Sequence, residues 1–266
     1  MRTVNRPNEI DDIANLNQSL AVSNTADLVG PYTEAIIHSY DRYRMAAPEL
    51  AQYQGVPMGE RPKQRMLQIF KRTNKGNLRH LRQALKRTCR RCPYCNISTA
   101  SDLDHFLSKD AFPCLAIFSW NLVPICAECN RLKNGGAEGA FIHSYYDALP
   151  AAPFLIALID FEPRLVVITF SLELQGIDER FAARVRAHFD ILDLANRYAL
   201  EAQERISAFR LSLPSVLADG GPAAVRLELG RRLLEAVLYG VNYWETAMLS
   251  ALVGSEIYCS GGFNGG

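Results

Sequence analysis

Apolar residues recur at helical spacing along much of the chain. Over residues 31–53 they fall three to four positions apart, which predicts an amphipathic helix. Residues 63–87 carry a similar pattern that breaks near Gly76, so this segment is expected to form two helices with an apolar underside and a cationic outer face. Beyond Gly176, further helices are predicted over 177–209, 222–238 and 243–253.

Strand patterns are shorter and fewer. The stretches PFLIALIDFEP and RLVVITFSLEL, at 153–163 and 164–174, are rich in β-branched residues and meet at a Pro-containing turn, which predicts a β-hairpin. The first thirty residues fit either a short helix over 9–20 or an irregular arm, and the tail CSGGFNGG is predicted to be disordered. The expected fold class is mainly α with a small α+β element.

The composition is that of an ordinary globular protein, with 48% hydrophobic and 21% charged residues among 266. The N-terminus has no apolar signal region, and no run of 18 apolar residues occurs, so neither secretion nor a membrane span is expected. We therefore expect a cytoplasmic protein with reduced thiols.

The net charge of +1 conceals an uneven distribution. Residues 61–91 hold 12 Lys and Arg without one acidic residue, whereas residues 1–60 and 136–266 have net charges of −4 and −6. A solvated basic helix is the ordinary interpretation of such a run, but twelve bases without an acid exceed what solubility requires. The segment therefore favours contact with a polyanion such as DNA.

Four cysteines form two Cys-x-x-Cys pairs separated by thirty residues. Such pairs present two thiolates each to one tetrahedral ion, so the sequence predicts a zinc site. Four thiolates leave the zinc no open position for water, and its role is then structural. The alternative is that the cysteines are small buried core residues. The predicted ligands are Cys92, Cys95, Cys126 and Cys129.

The remaining cysteines are assigned differently. Cys89 stands three residues before Cys92, so these two also form a Cys-x-x-Cys pair. Pro93 and Tyr94 favour a zinc knuckle between Cys92 and Cys95 instead. Cys114 is expected in the core, and Cys259 is expected to be incidental.

Polar residues suited to hydrolysis lie between and beside the zinc pairs. In an extended strand, Asp104 and His105 project to opposite sides, so the carboxylate can bind a hard cation while the imidazole reaches a water molecule. Asn130 directly follows the last cysteine at the start of a predicted short helix, and its amide oxygen is another hard ligand. The histidines at 38, 80, 143 and 188 have no partners at diagnostic spacing and are assigned to surface or core.

The order Cys-x-x-Cys, Asp-His, Asn, Cys-x-x-Cys-Asn-x-x-Lys over residues 92–135 resembles the HNH endonucleases. Their ββα-metal fold joins two strands and a helix around one catalytic divalent ion. The resemblance implies that His105 is the general base, that Asn121 supports the loop holding it, and that Asp104 and Asn130 bind Mg²⁺ or Mn²⁺. Two features depart from the pattern: Asn130 stands where many members have His, and FLSKDAFP replaces a Gly-rich stretch.

The resemblance implies a metal-dependent endonuclease acting on DNA, most simply double-stranded. Lys133 is expected to contact a phosphate flanking the cleaved bond, and a basic group beside the first knuckle is expected to bind the nucleic acid. That group is Lys86, Arg87, Arg90 and Arg91.

The organisation is also similar to that of bacterial anti-phage defence subunits that work with an ATPase. The alternative, from a different functional class, is a non-catalytic zinc-ribbon protein that binds nucleic acid. The expected organisation is an N-terminal arm and helix (1–60), a basic helical segment (61–91), a zinc-stapled HNH module (92–150), and a hairpin with C-terminal helices (151–266).

Overall fold

The computed structural model describes residues 1–22, 24–133, 140–163 and 165–264. Within these ranges helices predominate, and the strands form two separate two-stranded antiparallel sheets. The predicted fold class, mainly α with a small β component, is confirmed. The described helices are α1 (Asp12–Leu20), α2 (Thr25–Val29), α3 (Thr33–Ala46), α4 (Glu60–Lys75), α5 (Arg79–Thr88), α6 (Ala127–Lys133), α7 (Glu179–Ile191), α8 (Leu194–Val237), α9 (Trp244–Gly254) and α10 (Glu256–Cys259). The strands are β1 (Asp102–His105), β2 (Leu122–Ile125), β3 (Leu155–Glu162) and β4 (Leu165–Leu172).

The chain divides into two compact units. The N-terminal unit comprises Thr3–Tyr94 and Ser98–Ala148. The C-terminal unit comprises Met1–Arg2, Cys95–Ile97 and Leu149–Gly266. The finer division of the N-terminal part into three segments stays a prediction.

The two helices predicted in the basic segment are present as α4 and α5. Each buries an apolar side and exposes much of its basic side, as the residue pattern requires. The break falls at Gly76, where a Cβ atom would lie 2.7 Å from the Cβ of Arg72. A side chain at this position would therefore clash with the preceding helical turn, which explains why a glycine ends α4.

The core of the N-terminal unit is aromatic. Tyr40 of α3 stacks on Phe118 with ring centroids 4.2 Å apart, and Tyr43 meets the same ring edge-on. Asp11 is the N-cap of α1, and its carboxylate accepts a hydrogen bond from the backbone N–H of Ala14 at 2.8 Å. Of the two interpretations of the first thirty residues, the helical one is correct.

The predicted hairpin is present in the C-terminal unit. Strands β3 and β4 pair from Leu155 opposite Leu172 to Glu162 opposite Leu165. Alternate residues are buried along β4 and at the start of β3, which is the pattern expected when one face of a sheet packs on helices. The helices that cover this face are α8 and α9.

Two predictions about the C-terminal unit were wrong, one about a helix and one about the tail. The helix expected over 177–209 is divided into α7 and α8, because Asp193 adopts a left-handed conformation with φ of 49°. The tail is not disordered as far as residue 264: the side chains of Cys259 and Phe263 are fully buried. Glycines surround these two residues and suggested disorder, but the apolar side chains pack into the unit.

None of the described helices has the length and apolar character needed to cross a bilayer.

Candidate functional site

Two short strands and a helix follow one another in the N-terminal unit. Strand β1 pairs antiparallel with β2, with Asp104 opposite Val123 and His105 opposite Leu122. All four residues of β2 are buried, and α6 begins two residues after β2 ends. The side chains expected to act together therefore lie on adjoining elements.

The four cysteines predicted to bind zinc form a cluster. Their sulfur atoms all lie within 4.8 Å of one another, and all four residues are buried. Backbone N–H groups point at two of the sulfurs, from Ile97 to Cys95 and from Cys129 to Cys126, each at 3.4 Å. Such N–H donors stabilise thiolates, so the cluster can hold a zinc ion with four sulfur ligands.

Cys89 and Cys114 lie outside this cluster and make other contacts. The thiol of Cys89 points toward the carbonyl of Pro124 at 3.9 Å, and it is not part of the four-sulfur group. Cys114 is fully buried, as predicted, and its sulfur accepts a hydrogen bond from the backbone N–H of Val56 at 3.5 Å. The four-sulfur group therefore contains Cys92 and Cys95 and not Cys89.

Asp104 is buried and forms an ion pair with Lys133. The ammonium group of Lys133 donates to Asp104 Oδ2 at 2.5 Å and to the carbonyl of His105 at 2.7 Å. It also lies over the rings of Phe106 and Phe141, within 6 Å of both centroids. Burial raises the pKa of Asp104, and the ammonium of Lys133 opposes this increase. Lys133, expected to face a phosphate, points inward in this structure.

Asp102 is a site residue that the sequence reasoning did not select. Its carboxylate accepts a hydrogen bond from Asn130 Nδ2 at 3.1 Å. Asp102 and Asp104 are two positions apart in β1 and project to the same side. Asn130 and Lys133 are three apart on α6 and project to the same side of that helix. The alternation Asp-x-Asp in a strand is the signal that could have identified it.

His105 projects away from Asp104, as its position in the strand predicts. Its Nε2 donates to the carbonyl oxygen of Ala116 at 2.9 Å, so Nδ1 is the nitrogen without a proton. The ring of Phe70 meets the imidazole edge-on with centroids 4.4 Å apart. Burial, with a smaller contribution from the charges of Lys109 and Lys133, lowers the pKa of His105 to about 3, although the hydrogen bond to Ala116 opposes this shift. The imidazole is therefore neutral near pH 7.

Asn121 holds the chain that follows His105. Its side-chain oxygen accepts from the backbone N–H of Leu107 at 2.8 Å, and its amide donates to the carbonyl of Leu107 at 3.0 Å. The Asn121 carbonyl accepts a further hydrogen bond from the N–H of Phe106 at 2.8 Å. These three contacts fix the loop beside His105, which is the geometry that the expected supporting role requires.

Asp12, the first residue of α1, holds the turn that carries Asn121. Asp12 accepts from the backbone N–H and from the hydroxyl of Ser119, both at 2.9 Å, and pairs with Arg44 at 3.1 Å. Burial raises the pKa of Asp12 to about 6, although the hydrogen bonds from Ser119 and the charge of Arg44 oppose the rise. Sequence gave no signal for this contact, because 107 residues separate Asp12 from Ser119.

The basic segment reaches the same strand. Arg82 donates to the carbonyl of Ser101 at 3.3 Å. Burial and the charge of Arg82 lower the pKa of Lys86, while the charge of Asp102 opposes this shift. The C-terminal end of α5 therefore lies beside the start of β1. The remaining expected contacts for nucleic acid are exposed: Arg87, Arg90 and Arg91.

The other four histidines are at the surface or in the core, as predicted. His38 and His80 are exposed, whereas His143 and His188 are buried. His143 stacks on Phe106 at 4.0 Å between centroids and meets the hydroxyl of Tyr43 at 2.9 Å. It therefore supports the segment that follows His105 from the core side.

Comparison with known proteins gives one relative and no family. No protein-family model matches the chain, and no solved structure matches it. The chain is 27% identical over 193 residues, 64% of its length, to a protein of Escherichia phage lambda named Protein ea31. The chain spans 64% of the length of that relative. The relative's name states no activity, so the comparison shows only that a phage protein has a related sequence.

Proposed function

We propose that this protein is a metal-dependent endonuclease that hydrolyses phosphodiester bonds of DNA at the β1–β2–α6 site. The observation that carries the proposal is the arrangement around β1. Asp104 lies on the side of the strand that faces Asn130 of α6, and the next residue, His105, presents an imidazole whose Nδ1 is unprotonated. These are the groups that an HNH nuclease requires.

The donor atoms suit a hard divalent cation. Carboxylate and amide oxygens are the ligands that Mg²⁺ and Mn²⁺ prefer. Because Nδ2 of Asn130 donates to Asp102, its Oδ1 is turned away from that carboxylate and is available as a ligand. Asp104 and Asn130 would hold the ion, which would neutralise charge on the phosphate and on the leaving oxygen.

Lys133 provides the charge balance when Asp104 stands alone. Burying a carboxylate without a positive partner is costly, and the ammonium of Lys133 supplies that partner. When a cation binds to Asp104, the flexible side chain of Lys133 can turn its ammonium toward a flanking phosphate. This movement gives the residue the role expected from the sequence.

His105 would accept a proton from the attacking water. Its Nε2 stays bound to the Ala116 carbonyl, which keeps Nδ1 directed away from it. Burial is the main cause of the low pKa of His105, and the charges of Lys109 and Lys133 add to it. A phosphodiester brings negative charge that offsets the contribution of these two lysines.

The basic segment would bind the DNA backbone. It carries a net charge of +12 and ends beside β1, where Arg82 and Lys86 lie next to Ser101 and Asp102. Contacts of this kind release counterions and do not depend on base sequence, so binding should weaken steeply with salt. The zinc ion in the cysteine cluster would hold the site together without taking part in the reaction.

Supercoiled plasmid incubated with the zinc-loaded protein tests the proposal. We expect nicked or linear products when Mg²⁺ or Mn²⁺ is added and none when it is omitted. Omitting the cation is a cleaner control than a chelator, because a chelator also removes zinc. His105→Ala should abolish cleavage, and His38→Ala, which replaces an exposed histidine of α3, should not.

The alternative function, a non-catalytic zinc-ribbon protein, predicts a different result. Such a protein would bind plasmid with the same salt dependence but would not cleave it under any divalent cation. His105→Ala would then leave plasmid binding by the folded protein unchanged. The buried ion pair and the hydrogen-bonded imidazole favour the enzyme, since a surface that holds phosphates needs neither.

A role in anti-phage defence with an ATPase partner, in the cytoplasm, belongs to the same proposal and rests on the resemblance of organisation alone. Co-purification of an ATPase encoded beside this protein would support it. A monomeric protein with full activity and no bound ATPase would argue against it.

A further inference from the structure

The second half of α8 is apolar on two opposite sides. Gly221, with φ of 67°, separates it from the first half. One side packs into the C-terminal unit through Val225, Leu229 and Ala236, all buried. The opposite side exposes Leu227 at 59% and Leu234 at 71%, and Leu238, the C-cap residue that follows α8, is 86% exposed on the same side. We name this side the outer face.

The three leucines form a stripe along one side of the helix, with Gly230 and Arg231 between Leu227 and Leu234. At 3.6 residues per turn, positions 227, 234 and 238 lie within about 40° of one another around the helix axis. A helix that is apolar on both sides is normally buried on both sides. In the first half of α8, the exposed Leu200 and Leu211 are about three turns apart with Glu204 and Ser207 between them, whereas Leu234 and Leu238 are about one turn apart. Single exposed leucines are ordinary, whereas several on one side of a helix indicate an interface.

The flanks of the outer face are unlike each other. One flank carries Arg231 and Glu235, both exposed, and the other carries Gly230 and Val237. Beside the apolar flank, a cavity of about 390 Å³ opens between α8 and its neighbours. The cavity is lined by Leu155 and Ala157 of β3, Leu233 and Val237 of α8, and Ala247 and Ala251 of α9. The apolar surface therefore extends beyond the stripe itself.

We propose that the outer face binds the same face of a second copy, with the two helices antiparallel about a two-fold axis. In an antiparallel two-fold pair, each flank of one helix meets the same flank of its partner. Arg231 then meets the partner's Glu235 and Glu235 meets the partner's Arg231, with the axis passing midway between them. The flank with Gly230 and Val237 meets the same flank of the second copy, and the three leucines of each copy form the centre of the interface.

Other arrangements match this surface less well. In a parallel pair, the flank with Arg231 and Glu235 would face the partner's Gly230 and Val237, so charged groups would be buried against apolar ones. A partner of different sequence would need its own leucine stripe and a complementary pair of charges, while a second copy supplies both by symmetry. The proposal is independent of the nuclease activity.

Sedimentation equilibrium of the zinc-loaded, full-length chain tests the proposal. We expect wild-type protein to have twice the chain mass of 29.7 kDa at micromolar concentration. Leu234→Glu should raise the dimer dissociation constant at least about 100-fold, because two carboxylates would be buried without partners. Leu211→Glu, at another exposed leucine outside the stripe, should leave the dimer intact.

Charge reversal tests the antiparallel arrangement. Arg231→Glu and Glu235→Arg should each weaken the dimer about tenfold, because each brings like charges together. The double variant restores opposite charges and should dimerise like the wild type. Three results would overturn the proposal: a wild-type monomer at high concentration, equal dissociation by Leu211→Glu and Leu234→Glu, or a double variant weaker than both single ones. Circular dichroism of each variant shows whether α8 remains folded.

Discussion

Replacing Asp12 with Asn is expected to stabilise the protein at neutral pH. The carboxylate is 3% exposed, and it accepts two hydrogen bonds from Ser119 and one from Arg44. Burial nevertheless raises its pKa from 3.8 to about 6, so desolvation outweighs these contacts. Ionised Asp12 therefore holds the turn before Asn121 at a cost in folding free energy.

The size of that cost follows from the two pKa values. The folded state binds the proton more tightly than the unfolded state, so the free energy of unfolding decreases as pH rises from about 4 to above 6. A pKa rise from 3.8 to about 6 corresponds to about 3 kcal/mol, since each tenfold change in the ionisation equilibrium is about 1.4 kcal/mol. Asparagine resembles the protonated acid and escapes this loss. The variant should exceed wild type by up to about 3 kcal/mol near pH 7.5 and by about half of that near pH 5.

Urea unfolding at about pH 5, 6 and 7.5 measures this difference. Both proteins are kept saturated with zinc, so that the pH dependence of the cysteine ligands cancels in the comparison. Asp41→Asn is the matched control, because Asp41 binds the same Arg44 at 3.0 Å but its side chain is 63% exposed. The control should show no pH-dependent gain. If Asp12→Asn were less stable than wild type at pH 7.5, the contacts with Ser119 and Arg44 would outweigh desolvation and the reasoning would be wrong.

Two further predictions concern the zinc cluster and the tail. Cys126→Ser should lose the single zinc expected per chain and unfold the β1–β2–α6 region, since binding of a structural zinc supplies about 10 kcal/mol or more of folding energy. Cys89→Ser, outside the four-sulfur group, should keep the metal. Metal analysis decides the point, and loss of zinc from Cys89→Ser alone would contradict the assignment. Phe263→Ala should cost about 3–5 kcal/mol in urea unfolding, because the ring is fully buried and lies 5.5 Å from that of Tyr258. Ile257→Ala, at a position 62% exposed, should cost less than about 0.5 kcal/mol, and equal effects of the two would show that the tail does not pack.

Local chemistry was enough to find the parts of the site. The spacing of the cysteines predicted the cluster, because two Cys-x-x-Cys turns can meet around one tetrahedral ion whatever lies between them. Hydrophobic periodicity predicted α4, α5 and the β3–β4 hairpin, because each buries one face against neighbours within its own unit. The adjacency of Asp104 and His105 in a strand also predicted that their side chains would diverge.

The tertiary structure decided which partners these residues meet. Contacts such as Lys133 with Asp104, Asn130 with Asp102, and Asp12 with Ser119 join residues 28 to 107 positions apart. No local pattern encodes such pairs, because they depend on how strands and helices pack after they have formed. The buried Phe263 illustrates the same limit, since a glycine-rich tail is ordered once its apolar side chains find a core. The sequence by itself determined the candidate ligands and the elements that carry them, and packing determined their charges, hydrogen bonds and neighbours.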